Sequence, residues 1–151
     1  MRALIQRVSR AAVRFPEKPG EAERAIGKGF LILLGCGKGD SPRAADALAR
    51  KCAGLRVFPD DAGRFAKGLA DVQGEALIVS QFTLYGDASR GRRPDFMEAL
   101  PGPEAEPLYR RFAEAFAREG GPVKLGEFGA KMEVESVNDG PVTLWLDTAH
   151  L

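Results

Sequence analysis

Histidine is almost missing from this chain of 151 residues: the only one, His150, is the penultimate residue. Chain ends are usually frayed, so a firmly held imidazole base is not expected there. Ser–His and Cys–His catalysis and His-rich metal sites therefore drop out, and any chemistry must run without imidazole. Cysteine is scarce as well, with only Cys36 and Cys52. The two lack metal-ligand spacing and sit among apolar residues, which reads as a pair of buried free thiols. No ligand cluster points to a metal or a cofactor. Long apolar runs are lacking; a stretch such as Phe30 to Leu34 falls far short of the ~20 residues of a membrane span. Met1 to Arg7 alternates charged and apolar residues and lacks the apolar centre of a signal peptide, so a cytoplasmic location is expected. A net charge of +1 gives no overall polyelectrolyte character. Nucleic-acid contact would have to come from a local patch. Asparagine occurs once, at Asn138, while Arg and Pro are plentiful. That balance is compatible with a heat-adapted protein, although codon bias produces the same composition.

What is present is an ordinary globular composition, 44% apolar and 28% charged. The length fits one domain, residues 1–151, able to bury a core without disulfides or metal. Met1 to Phe15 reads as a first strand, followed by an exposed loop, Pro16 to Glu21. Gly29 to Gly35 reads as a central strand, apolar on both faces. Gly35-Cys36-Gly37-Lys38-Gly39-Asp40-Ser41 has the look of a phosphate loop but not its spacing, and a flexible strand-to-helix turn is the better reading. Ser41 and Pro42 start a helix that runs to about Ala53, where Gly54 ends it. Leu55 to Phe58 reads as a strand and Pro59 to Gly63 as a tight turn. Ala76 to Val79 is a short, buried strand. Pro101 opens a second helix to about Glu119, with Leu108, Phe112, Ala115 and Phe116 on one apolar stripe. Val123 to Leu125, Met132 to Val137 and Val142 to Leu146 read as strands, the last two joined by Asn138-Asp139-Gly140-Pro141. This order implies an α/β fold of mixed β-sheets with helices packed on one face.

Three places carry possible chemistry. Ser80-Gln81-Phe82-Thr83-Leu84 sets hydroxyl, amide, ring and hydroxyl in succession at the end of a buried strand, where polar groups and backbone N–H donors are held rigidly yet open to solvent. A plain strand end, with Phe82 in the core, accounts for the same residues. Asn138-Asp139-Gly140-Pro141-Val142-Thr143 is unusual for a hairpin, because Pro141 cannot donate to a ladder and Gly140 permits a sharp bend or a close approach. From base rates alone a trans Gly140-Pro141 bond is expected, since only ~5–6% of X–Pro bonds are cis. Arg90, Arg92 and Arg93 crowd one loop just before Phe96, which suits either a solvated surface or an RNA backbone and base.

Taken together, Ser80 to Leu84 and Asn138 to Thr143 resemble the motif pair of the D-aminoacyl-tRNA deacylases (the D-tyrosyl-tRNA deacylase family). The resemblance extends over nearly the whole chain, through Ile5-Gln6-Arg7-Val8, Leu33-Leu34-Gly35, Arg90-Gly91-Arg92-Arg93-Pro94 and Phe128-Gly129-Ala130-Lys131-Met132. It implies a homodimer with two active sites at its interface, a cis Gly140-Pro141 bond, and tRNA with its 3′-terminal aminoacyl-adenosine as partner. It implies also that Gly140-Pro141 of one subunit reaches into the pocket of the other, where backbone carbonyls capture the α-amino group of a D-aminoacyl ester and an L side chain collides. Glycine esterified to tRNA would be accepted too. Ser80, Gln81, Phe82 and Thr83 are then the catalytic candidates. Gly140, Pro141 and Asn138, with Phe128 and Met132 toward the adenine, are the substrate-binding candidates, and Arg90, Arg92 and Arg93 the tRNA-binding ones. The resemblance favours assistance by the 2′-hydroxyl of the terminal adenosine over nucleophilic attack by Thr83, which lacks an evident base. Phe65, Asp95, Ser136 and the stretch from Phe15 to Arg24 depart from the family pattern. A non-catalytic RNA-binding module and a general Ser/Thr esterase stay open as other readings.

Overall fold

The apolar runs become strands flanked on both sides, and the amphipathic ones become helices. All residues from Met1 to Leu151 are described in the computed structural model. Strand β1 (Arg2–Arg14) pairs antiparallel with β3 (Gly29–Gly35), from Arg2↔Gly35 to Val8↔Gly29, and β2 (Arg24–Ile26) continues along the same edge. Helix α1 (Pro42–Ala53) and a small hairpin of β4 (Phe58–Pro59) and β5 (Phe65–Lys67) lead to β6 (Glu75–Ser80). That strand lies parallel to β3, with Leu34 opposite Ser80. Helix α2 (Gly102–Gly120) leads to β7 (Val123–Leu125), parallel to β6. Strand β8 (Glu133–Asp147) runs antiparallel along the free edge of β1. The result is the α/β fold expected from the sequence, built on one mixed sheet.

Alternation along the central strands feeds two cores. Phe30, Ile32 and Leu34 of β3 and Ala76 and Ile78 of β6 point toward the helices and pack with Leu48, Cys52, Phe112 and Phe116. Leu31 of β3 and Leu77 and Val79 of β6 point to the other face and pack with Val8, Val13, Phe15 and Ile26. The sheet curls around this second core until Arg24 of β2 donates to the Leu125 carbonyl of β7 at 2.8 Å. The helix ends follow the sequence signals: Ser41 Oγ accepts from the Ala44 N–H at 3.3 Å, and Pro42 occupies the first turn, where no N–H is needed. Cys36 and Cys52 are free and buried, as read from their apolar surroundings.

Three expectations need correction. Leu55 to Phe58 does not form a strand; only Phe58–Pro59 pairs, against β5. Asp60 organises the turn instead, its Oδ1 accepting from the Ala62 and Arg64 N–H groups at 2.9 Å each. Nor does Asn138 to Pro141 join two separate strands; it lies within the single strand β8. Both halves of β8 pair with the same strand β1, and Asp139, Gly140, Pro141 and Val142 stand opposite Arg7 alone, between the pairs Val8↔Asn138 and Gln6↔Thr143. The extra residues leave the ladder as a bulge rather than reversing the chain. The third correction, at Gly35 to Gly37, belongs to the site.

Candidate active site

Strand β6, paired with β3 and β7, carries Ser80 at its C-terminal end, and the next peptide is tied down: the Gln81 N–H donates to the Leu34 carbonyl at 2.8 Å. The chain then turns through a single 3-10 turn, Phe82–Tyr85. This turn is seated on glycines. A Cβ at Gly35 would lie 2.9 Å from the Gln81 carbonyl oxygen, and one at Gly37 would lie 2.3 Å from the Tyr85 ring. The glycines at the end of β3 and just beyond it are therefore a shelf for close approach, not merely the flexible strand-to-helix turn their composition implied. The first N–H groups of the turn, those of Phe82 and Thr83, find no acceptor in the chain. Phe82 is 57% exposed and meets Phe96 edge-on with ring centroids 5.1 Å apart, so the plain strand-end reading with Phe82 in the core does not hold.

A cavity of about 610 Å³ opens beside this turn. Ser80, Gln81 and Phe82 line one side; Phe96, Leu100, Tyr109, Phe128 and Met132 are among the residues that complete it. Of the sequence-predicted residues, the cavity thus gathers Ser80, Gln81, Phe82, Phe128 and Met132. Thr83 is exposed on the turn outside the lining, and its hydroxyl accepts from the Gln81 amide. The only titratable side chains in the wall are Cys36 and Tyr109. Burial pushes the Cys36 thiol up to about 12, with the nearby Asp40 carboxylate adding to the rise. Burial raises the Tyr109 phenol too, and its hydroxyl is engaged in donating to the Ile78 carbonyl at 2.8 Å. Neither serves as a base near neutral pH.

Gly140 and Pro141 lie elsewhere in the chain, on the β8 bulge, with β1 and β3 between that edge and β6. The bond between them is cis, against the base-rate expectation and in line with the family resemblance. Gly140 has φ of +118°, and a Cβ there would come within 2.8 Å of Arg7 Nη2. Asn138 braces the base of the bulge, Nδ2 donating to Thr143 Oγ1 at 2.9 Å, while its Oδ1 is shielded and has no partner. One chain therefore does not bring Gly140-Pro141 to the cavity.

Arg90, Arg92 and Arg93 are exposed and make no hydrogen bond or ion pair within the chain. Their loop is pinched at its base by reciprocal Asp87–Asp95 backbone bonds of 2.9 Å. Gly86 before it and Phe96 after it are in contact, so the loop springs from the cavity rim.

Two arginines escaped the sequence reading as site residues. Arg7, on β1, is buried and sends Nη1 to the Val57 carbonyl at 2.6 Å and Nε to the Asp139 carbonyl at 3.2 Å. Arg2 sends Nη1 to the Leu84 carbonyl at 2.9 Å. Charged residues alternating along a first strand carry no local mark that separates these from solvated neighbours.

The family model described as D-Tyr-tRNA(Tyr) deacylase matches residues 4–147. The chain belongs to that family. Among curated relatives, the D-aminoacyl-tRNA deacylase of Thermomicrobium roseum is 52% identical over 151 residues, covering 100% of this chain and 96% of the relative. That of Roseiflexus castenholzii is 55% identical over 149 residues, covering 99% and 93%. Among solved structures, one named c-Myc DNA Unwinding Element Binding Protein superposes with a TM-score of 0.88 at 41% identity, covering 97% of this chain and 98% of its own. Another, described as a probable eukaryotic D-amino acid tRNA deacylase, has a TM-score of 0.80 at 15% identity over 96% and 97%, a likeness of fold.

Proposed function

We propose that the chain hydrolyses the ester of a D-aminoacyl-tRNA, water and ester giving free D-amino acid and tRNA. The observation that carries this reading is a cavity without a base beside a turn with two unpaired backbone N–H groups, on Phe82, which lines the cavity, and on Thr83, the next residue. An aminoacyl ester is already activated, so donors aimed at the developing oxyanion and firm positioning are sufficient help. Phe82 and Thr83 supply the donors through their backbone, Ser80 and Gln81 hold the terminal ribose and carbonyl, and Phe128 and Met132 face the adenine. The 2′-hydroxyl of the terminal adenosine assists attack. Thr83, with its hydroxyl satisfied by an amide, is not the nucleophile.

Hand is selected by a second copy of the chain. Its Gly140-Pro141 carbonyls take the α-amino group and leave no room for an L side chain, so D-aminoacyl and glycyl esters pass and L-aminoacyl esters do not. The single-chain geometry supports a partner here. Strand β8 is a long edge with Val134 41%, Val137 53% and Trp145 48% exposed, and Val134 also borders the cavity. An open edge of that length invites pairing with another chain. The active unit is accordingly a homodimer with its sites at the interface, one domain per chain, acting on tRNA in the cytoplasm as a chiral proofreader.

The test uses matched D- and L-aminoacyl-tRNA and a free D-amino-acid ester. Hydrolysis of the D-aminoacyl-tRNA alone selects the deacylase. Binding without turnover selects an RNA-binding module, and turnover of the free ester as well selects a general esterase.

A further inference from the structure

Arg2 makes more contacts than a strand residue at a sheet margin needs. Nε pairs with Asp147 Oδ2 at 3.0 Å, which would by itself anchor the β1–β8 pair. Burial alone would raise the Asp147 carboxyl, yet hydrogen bonds from the Ala149 N–H and from Arg2 hold it below the usual carboxylate range. The guanidinium goes further. Nη1 donates to the Leu84 carbonyl at 2.9 Å, and the carbon at its centre lies 4.3 Å from the Tyr85 ring centroid and 5.7 Å from that of Trp145. Leu84 and Tyr85 are the last residues of the turn whose first residues, Phe82 and Thr83, carry the unpaired donors. Carbonyls at the end of such a turn lack partners within it, so one taken up by a cation fixes the turn from behind.

We infer that Arg2 is a positioning residue for the hydrolysis: it clamps the Phe82–Tyr85 turn onto the Gly35–Gly37 shelf and so holds the Phe82 and Thr83 N–H groups in register with the ester. The inference rests on the function proposed above. It requires a planar group that donates in two directions while stacking on a ring, which guanidinium does and ammonium does not. Lysine at position 2 reaches either Asp147 or the Leu84 carbonyl, without the stack.

The experiment compares wild type, Arg2→Ala and Arg2→Lys in steady-state deacylation of D-aminoacyl-tRNA, well below the melting temperature of each variant. Trp145, the only tryptophan, reports the stack through its emission. Arg2→Ala is expected to lower kcat about 10- to 100-fold, the scale of a small misplacement of catalytic groups. KM should stay within about twofold, since the binding surface is intact. Arg2→Lys should recover only part of the rate, and added ethylguanidinium should raise kcat of Arg2→Ala and move Trp145 emission back toward wild type. A folded Arg2→Ala with wild-type kcat, a loss confined to KM, or failure of both variants to fold would overturn the inference by making Arg2 merely structural. Absence of D-aminoacyl-tRNA hydrolysis in the wild type would instead sink the proposed function, and the role of Arg2 with it.

Discussion

Arg7 and Asp139 meet twice across the β1–β8 ladder: Arg7 Nε lies 3.2 Å from the Asp139 backbone oxygen and 3.2 Å from its Oδ2. The same guanidinium reaches the Val57 carbonyl and lies beneath Phe65, 5.6 Å from the ring centroid. One buried cation thus ties the Gly140-Pro141 bulge to the chain leading into the β4–β5 hairpin. Arg7→Ala would strand the buried Val57 carbonyl and release the bulge at Asp139, and a hydrogen bond involving a charged group is worth about 1.5–3 kcal/mol. A loss of stability of that order is expected in urea denaturation. Arg7→Lys should recover only part of it, because one ammonium nitrogen does not span the places that Nη1 and Nε occupy.

Alkaline pH should weaken the fold through its two thiols. Burial raises both Cys36 and Cys52 from 9.0 to about 12. The unfolded chain releases these protons near pH 9 and the folded chain does not, so their contribution is complete below pH 9 and is lost as pH rises toward 12. Urea melts across that interval should show stability falling with pH, and Cys36→Ser with Cys52→Ala should flatten the slope. An unchanged slope in the double variant would assign the alkaline loss to other groups.

The three free arginines predict a salt signature. Replacing Arg90, Arg92 and Arg93 by alanine should raise KM for tRNA while leaving kcat little changed, because they stand on the rim rather than in the cavity. Each phosphate contact removed should reduce the slope of log affinity against log salt by about 1. A loss of kcat without a change in that slope would place these residues in the chemistry instead.

Much of this architecture is legible in the residues. The unbroken apolar run in Gly29 to Gly35 announces a strand buried on both faces, and Ser41-Pro42 announces the start of α1. Ser80, Gln81 and Phe82, with Phe128 and Met132, line one cavity although they are far apart along the chain. What escapes is whatever depends on partners distant along the chain. Gly35 and Gly37 look like a flexible turn until Gln81 and Tyr85 settle against them. Asn138 to Pro141 reads as a join between two separate strands because a local pattern does not show that both flanks pair with the same strand. Arg2 and Arg7 look like solvated charges because their acceptors lie 82 and 132 residues away. Leu55 to Val57 has the composition of a strand, but the chain supplies no neighbour for it.

In the proposed mechanism catalysis rests on the backbone of Phe82 and Thr83 and on the substrate's own 2′-hydroxyl, with no protein nucleophile. Thr83→Ala tests this most directly, because it deletes the one exposed hydroxyl on the turn and leaves the N–H donor in place. Single-turnover deacylation of D-aminoacyl-tRNA by Thr83→Ala should retain near-wild-type rate. Abolished hydrolysis, with folding and tRNA binding intact, would contradict backbone catalysis and point to the Thr83 hydroxyl instead.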